Sequence, residues 1–380
     1  MKIIHLRDQY LRVSFVYFLL KGFRKYEHFV ACREIIPVDT ILYPYKNILK
    51  TSPFFAPFLF LDKLLTVKLG FSARLINDWW SYYFLLRKEK NIGILHAHMG
   101  TQGYYAIKLS KKLNIPLIVT FYGSDMSDVP KLPGWRDRYH LLFEHASQIV
   151  VEGQFMKSRM VELGCEQEKV SVVKIGVPLD HLQFRERNSW SEGEVLKILM
   201  CANFYPKKGY LTALKAIKIM ADRGDKLEVV IIGEGPQKVD ILNLIERLEL
   251  GHVVSLIGKR SLDEIYTLST SFHLFFHPSE TAPDGGSEGG APTIIIEMQA
   301  LGLPVVSTTH ADIPNIIPPE NHFLAAEGDP KGLVAQFDKL KSIPDWGSIS
   351  ARGKAFVVKE HSNERCSGVM EEIYSRFIVE

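Results

Sequence analysis

Cysteine is scarce in this chain. Cys32, Cys165, Cys201 and Cys366 are scattered over 380 residues, with no CxxC pair and no Cys/His ligand spacing. A disulfide framework and a structural zinc site are therefore not expected, which fits a reducing cytoplasm. No stretch reaches the roughly 18 apolar residues of a spanning helix. The apolar run SFVYFLL is followed by its basic segment, the reverse of the order in a signal peptide. Short repeats, low-complexity tracts and heptads are absent. Gly233-Glu234-Gly235-Pro236 lacks the GxGxxG pattern and the later acidic residue of a dinucleotide fingerprint. The basic surplus is diffuse and lacks recurrent aromatic interleaving, so nucleic acid is not an expected partner.

What is present describes a packed protein. Hydrophobic residues make up 46% of the chain, and its length exceeds one ordinary core and suits two domains. A net charge of +3 conceals an asymmetry, because residues 1–185 hold 26 Lys/Arg against 16 Asp/Glu and the remainder 20 against 27. The basic first half also carries PFFAPFLFL (Pro53 to Leu61) and DWWSYYFLLRK (Asp78 to Lys88). These segments suit peripheral contact with an anionic membrane at the inner face of the plasma membrane. They equally suit a core beneath a solvated basic face, since neither shows a clean amphipathic split.

Short β-type runs alternate with helical stretches, which predicts parallel α/β architecture. In the first half the runs Lys2 to Leu6, Ile92 to His96, Pro116 to Phe121, Gln148 to Val151 and Val170 to Lys174 read as strands. Helices are expected over Gln102 to Leu113, Pro133 to His145 and Gln154 to Leu163. Ligands in such sheets bind where strands end, which singles out His96-Ala97-His98-Met99-Gly100 and Tyr122-Gly123-Ser124-Asp125. His96 and His98 share a face of an extended segment and could hold a metal, but no third ligand is indicated, and hydrogen-bonded loop histidines are the better fit. Asp125 reads as a helix cap or a functional carboxylate.

A polar stretch, 181–194, reads as an interdomain linker. A second alternation follows, and Val195 to Cys201 delivers Asn203 and then Lys207-Lys208-Gly209, a pair able to place an ammonium over a diphosphate. Leu227 to Ile232 leads into Gly233 to Pro236, and Val253 to Ile257 into Gly258-Lys259-Arg260. The densest stretch is His277 to Gly302, HPSETAPDGGSEGGAPTIIIEMQALG. Its glycines permit close backbone approach, and a helix starting near Pro292 offers free N–H groups to an anion. Glu288 and Glu297 bracket that helix start as acceptors for sugar hydroxyls, although a plain surface loop would share this composition. Domains are thus expected at 1–180 and 195–362, with 363–380 a helix packing back across the linker.

Taken in order, HAHMG, VTFYGSD, the KKG after a strand, GEGP, HPS, SEGGAPTIIIEMQALGLPVVST and IPNII resemble glycosyltransferase family 4. The resemblance covers nearly the whole chain. It implies a GT-B fold: two Rossmann-like domains with parallel sheets facing across a cleft, an acceptor-binding first and a nucleotide-sugar-binding second. It implies retaining transfer of a hexose-type sugar from a nucleotide-sugar to a glycan or lipid-linked oligosaccharide, with no cofactor and no metal, and the chain has no DxD triplet. By the same resemblance Glu288 lies at the donor sugar, Glu297 holds the ribose, Lys208 binds the diphosphate, and Gly289, Gly290, Ala291 and Gly235 surround the nucleotide.

This chain departs from the family pattern in three places. Eight residues separate the two glutamates where seven are usual. Asn203 replaces an arginine, which leaves Lys207 or Arg260 to add positive charge, and Tyr122 replaces a histidine, which makes His98 the next catalytic candidate. Lys208→Ala is expected to cripple turnover and leave the fold intact. A GT-B epimerase or phosphorylase, or a non-catalytic nucleotide-sugar-binding subunit, is the alternative.

Overall fold

The computed structural model describes residues 1–7, 9–11, 15–36, 47–51 and 79–378. The Pro53 to Leu61 aromatic run lies outside the described residues, as does Asp78. The chain forms two compact units, one of residues 1–152, 157–176 and 364–380 and the other of 153–156 and 177–363.

Among the described residues the first unit holds a seven-stranded parallel sheet in the order Ile48–Lys50, Glu27–Cys32, Lys2–Leu6, Ile92–His98, Leu117–Thr120, Gln148–Val151, Val170–Val172. Its central strands are buried along nearly their whole length, as continuous apolar runs require when helices cover both faces. The order advances outward from Lys2–Leu6 in one direction and then restarts on its other side with Ile92–His98. That reversal is a topological switch point, where open α/β sheets leave a crevice at the strands' carboxyl ends.

The second unit repeats the arrangement with six parallel strands: Val254–Leu256, Leu227–Ile232, Leu196–Cys201, Leu274–His277, Val305–Thr308, Phe323–Ala325. Its switch point lies between Leu196–Cys201 and Leu274–His277. Tyr210–Asp222 and Pro330–Lys341 pack together on one face, and their buried Leu214, Ile217, Leu333 and Phe337 join Ile198, Phe276 and Trp346 in one core. The expected strand and helix positions agree with the structure to within two or three residues, for the helix from Gln102 by two (Gly100–Leu113) and for the strand to Lys174 by two (Val170–Val172).

Two stretches are placed by packing. Residues 181–194, which read as a linker, belong to the second unit. Arg187 is buried there, donating from Nη1 to Thr270 O at 3.0 Å and from Nη2 to Leu301 O at 3.2 Å, and burial lowers its pKa to about 10. The helix Asn363–Ser375 lies on the first sheet, where Met370, Ile373 and Tyr374 pack with Ile3, Val30, Ile94 and Ile118. Polar composition signalled a loop but could not show that Arg187 has carbonyl partners. Among the described residues no helix is long and apolar enough to cross a membrane.

Arg187→Ala removes the guanidinium donors to Thr270 O and Leu301 O, the latter keeping only the Arg185 N–H at 3.2 Å. It should lower the unfolding free energy of the second unit by about 2–3 kcal/mol, read from chemical unfolding curves. A change within 0.5 kcal/mol would return 181–194 to the status of a passive connector.

Candidate active site

In the second unit the charge collects on the loops that leave the two switch-point strands. Past Cys201 the chain runs through Asn203 and Phe204 into one 3-10 turn, Pro206–Lys208, ended by Gly209 at φ 67°. A Cβ on Gly209 would stand 1.8 Å from the Pro278 carbonyl oxygen, so glycine alone lets the two loops touch. Lys208 Nζ thereby reaches Glu288, 2.7 Å from Oε1 and 2.8 Å from Oε2. Ser279 Oγ donates to Oε1 at 2.6 Å, and His277 Nε2 stands 3.6 Å from the same oxygen. Burial works against this carboxylate, but the Lys208 ammonium and the His277 imidazole outweigh it and hold the pKa well below the usual carboxylate range.

The glycine-rich loop is pinned from beneath. The Glu288 N–H donates to His310 Nε2 at 3.1 Å and the Ser287 hydroxyl faces the same nitrogen at 3.1 Å. His310 therefore carries its proton on Nδ1, which donates to Glu327 Oε1 at 2.8 Å. Lys207 Nζ donates to Ser287 O at 2.9 Å. Gly289, Gly290 and Ala291 then lead into the helix Thr293–Ala300, whose N-cap is Pro292. Within that helix Glu297 is buried, and desolvation raises its pKa to about 7.

The other loops named from the sequence lie alongside. Phe204 N–H donates to Glu234 O at 2.9 Å and Gly233 N–H to Gly258 O at 3.1 Å, tying three neighbouring strand ends together. A Cβ on Gly235 would meet the Phe204 backbone at 2.7 Å. Asn203 is exposed, and Arg260 Nη1 donates to the adjacent Lys259 carbonyl at 3.0 Å. The structure thus joins Lys208 directly to Glu288, and the hydrogen-bonded loops of Asn203, Gly235 and Arg260 to one another.

His98 belongs to the first unit, where the third histidine that the sequence did not indicate proves to be His5. Parallel register sets His5 opposite His96, and ring nitrogens of His5, His96 and His98 lie within 4.8 Å of one another. His5 Nδ1 is 2.8 Å from His98 Nε2, and His5 Nε2 is 2.9 Å from His28 Nδ1. His98 Nδ1 bonds the Tyr122 hydroxyl. His96 bonds Tyr374 Oη at 2.6 Å through Nδ1 and Thr120 Oγ1 at 2.7 Å through Nε2. Desolvation lowers the pKa of all four imidazoles, His28 and His96 to about 3. Asp125 acts as a cap, accepting from Gly100 N and Tyr122 N at 2.9 Å each, and burial raises it to about 6. His5, His28, Tyr374, His310 and Glu327 escaped the sequence reading. Strand alternation puts His5 on a defined face, but only the register between strands puts it beside His96.

The ion pair changes the expectation for Lys208→Ala, because removing the ammonium strands a buried carboxylate. Lys208→Met alone should cost about 3–5 kcal/mol of unfolding free energy, and Lys208→Met/Glu288→Gln should recover most of it. Strict additivity of the two single losses would show that the pair is not coupled.

The histidines also set an acid limit. Their folded pKa values lie below the unfolded 6.5, so the unfolded chain binds more protons and stability falls as pH drops from 6.5 toward 3. Each such group contributes a slope of up to about 1.4 kcal/mol per pH unit. Asp125, raised from 3.8 to about 6, acts in the opposite direction between those values, but it is one group against four. Urea unfolding of the first unit at pH 7 and pH 5 should show the loss, and His28→Gln should reduce it. An unchanged pH slope in that variant would contradict the assignment.

Residues 183–351 match the family model for glycosyl transferases group 1, and residues 54–181 that for glycosyltransferase family 4. The amylovoran biosynthesis glycosyltransferase AmsK of Erwinia amylovora is 31% identical over 245 residues, covering 64% of this chain and 60% of AmsK. WcaL of Salmonella typhimurium, named for colanic acid biosynthesis, is 29% identical over 250 residues, 65% of this chain and 61% of WcaL. The matched stretch thus spans about three fifths of each relative's own length. Among solved structures, Anabaena HepE in complex with UDP and glucose matches with a TM-score of 0.73 at 15% identity, over 99% of this chain and 100% of that one. With two successive family matches running from 54 to 351 and two parallel-stranded units of this topology, the chain belongs to glycosyltransferase family 4 and has the GT-B fold.

Proposed function

We propose that this chain is a glycosyltransferase that moves a hexose-type sugar from a nucleotide-sugar to a glycan or lipid-linked oligosaccharide in surface polysaccharide biosynthesis. Anomeric configuration is retained and no metal is required. The observation that carries this reading is Lys208, held 2.7 Å from Glu288 at a switch point, beside a glycine-rich entry to a helix. Supporting it are family membership, the polysaccharides named for AmsK and WcaL, and the UDP and glucose bound by HepE.

The chemistry follows from where charge develops. As the glycosidic bond to the diphosphate breaks, negative charge grows on the leaving phosphate and positive charge on the sugar ring. Lys208 and the N–H groups around Gly289, Gly290 and Ala291 meet the first, and Glu288 orients sugar hydroxyls and eases the second. Front-face attack by the acceptor then preserves configuration. A preorganised donor of this kind lowers the barrier by about 3–4 kcal/mol. Lys208 and Glu288 engage one another, so an arriving diphosphate competes for the ammonium and frees the carboxylate for the sugar. Burial raises the Glu297 pKa to about 7, and hydrogen bonds donated by ribose hydroxyls favour its ionised form.

An acceptor at a membrane surface accords with the helix Trp79–Leu86, where Trp80 and Phe84 are 45% and 40% exposed and Arg87 lies 4.6 Å over the Phe84 ring. An exposed Trp, apolar in body and polar at its N–H, favours the headgroup layer, and an apolar Phe beside it adds buried area there.

Thermal shift over common nucleotide-sugars should single out one donor, with about 2.7 kcal/mol of stabilisation at a hundredfold excess over its Kd. Proton NMR of the product should show the donor's anomeric configuration, undiminished by EDTA. An inverted product, or loss of turnover on chelation, would defeat the corresponding part of this proposal.

A further inference from the structure

The first unit contains a buried chain of hydrogen bonds that the transferase reading leaves unused. It runs from the Tyr122 hydroxyl to His98 Nδ1, from His98 Nε2 to His5 Nδ1 and from His5 Nε2 to His28 Nδ1. At its far end His28 Nε2 faces Glu371 Oε1 at 3.9 Å. Glu371 comes from the helix Asn363–Ser375, and the same oxygen accepts the backbone N–H groups of Arg24 at 2.9 Å and Lys25 at 2.6 Å.

A row of neutral imidazoles admits two proton arrangements, because each ring has one donor and one acceptor nitrogen. In one, every ring carries its proton on Nε2 and points it toward Glu371. In the other, every proton is on Nδ1 and points toward Tyr122. The second arrangement turns the His28 Nε2 lone pair onto a carboxylate, which is repulsive, and the first turns an N–H onto it. Burial keeps the rings neutral, so protonating both nitrogens does not relieve the choice.

We propose that Glu371 fixes the tautomers of His28, His5 and His98 in the Nε2–H form and commits the Tyr122 proton inward to His98. His98 is then a positioning residue, with both ring nitrogens engaged inside the protein, and Tyr122 meets a neighbouring hydroxyl as an acceptor. A second branch has the same polarity. With Tyr374 donating to His96 Nδ1, His96 Nε2–H donates to Thr120 Oγ1, and Thr120 lies beside the Tyr122 hydroxyl. Both branches meet at Tyr122 at the carboxyl end of the Leu117–Thr120 strand. Met99 follows His98 at φ 88°, a backbone region costly to a non-glycine residue, and it is held by Met99 N–H donating to Thr120 O at 2.8 Å. Strain accepted there keeps His98 at its place in the chain.

A three-histidine metal site is the competing use of these side chains. Two nitrogens on one tetrahedral zinc, each about 2.0–2.1 Å from it, stand about 3.3 Å apart, whereas His5 Nδ1 and His98 Nε2 are at a hydrogen-bond separation of 2.8 Å. His96 uses both of its nitrogens on hydroxyl groups. The geometry is that of hydrogen bonds.

The role at the reaction rests on the transferase reading, but the proton positions do not, and they are measured without any sugar present. The full chain, labelled with nitrogen-15 in histidine, should show His5, His28 and His98 as single Nε2–H tautomers at pH 7 in long-range proton–nitrogen spectra. Glu371→Gln, which keeps an acceptor for Arg24 and Lys25 but removes the charge, should convert all three to mixtures. Tyr122→Phe should disturb His98 alone. The proposal fails if the unsubstituted chain shows Nδ1–H or cationic rings, if its spectrum shows metal-bound nitrogen, or if Glu371→Gln leaves His98 unchanged. If Glu371→Gln does not fold, Glu371→Ala and the Arg24 and Lys25 amide shifts of the unsubstituted chain across the Glu371 titration take its place, His98 moving with the carboxylate if the proposal holds and not moving if it fails.

Discussion

Parallel pairing sends the carboxyl ends of all strands in a sheet to one edge. Both units depend on that constraint, because it gathers loops distant in sequence without any further instruction. Cys201 and His277 end adjacent strands, so the loops bearing Lys208 and Glu288, eighty residues apart, begin side by side. Leu6 and His98 likewise end adjacent strands, which brings His5 within reach of His98. The reversal of strand order at each of these places opens the crevice that a ligand requires.

The two units then treat buried polar groups in opposite ways. The second keeps its charges and pairs them, Lys208 with Glu288, and accepts the desolvation that such a pair carries. A pair of this kind is poised for exchange, since an anion that offers the ammonium more than a carboxylate does can take its place. The first unit keeps its imidazoles neutral and links them through hydrogen bonds in a row that ends facing the Glu371 carboxylate. This arrangement cannot be displaced by an ion and is suited to holding direction.

Much of the second unit was legible in the sequence because its signals are local. KKG, GEGP and SEGGAPTIIIEMQ each combine a strand end, a glycine with a specific steric duty and a charged residue within a few positions. Gly209 is the clearest case, since its neighbour across the loop, Pro278, could be guessed only as another strand end. The first unit was legible as alternation but not as a site. His5, His28 and Tyr374 look like ordinary residues in ordinary elements, and their meeting is a property of register and of a helix from the far end of the sequence. Arg187 was missed for a related reason, because polar composition marks a loop whether its side chains face water or buried carbonyls. The Lys208–Glu288 contact, too, could not be read beforehand. Each residue alone suggests a ligand, and eighty positions of separation carry no sign that the two satisfy one another.

The helix Asn363–Ser375 completes the first unit although the whole second unit separates it from residue 176. On the ribosome, at roughly 5–20 residues per second, the first sheet waits on the order of 10–40 seconds with the face meant for Met370, Ile373 and Tyr374 open. During that interval His28 has no Glu371 opposite it and His96 has no Tyr374. The second unit receives its own last residue, 363, just as this helix begins, so both units reach their full set of residues together at the end of that interval.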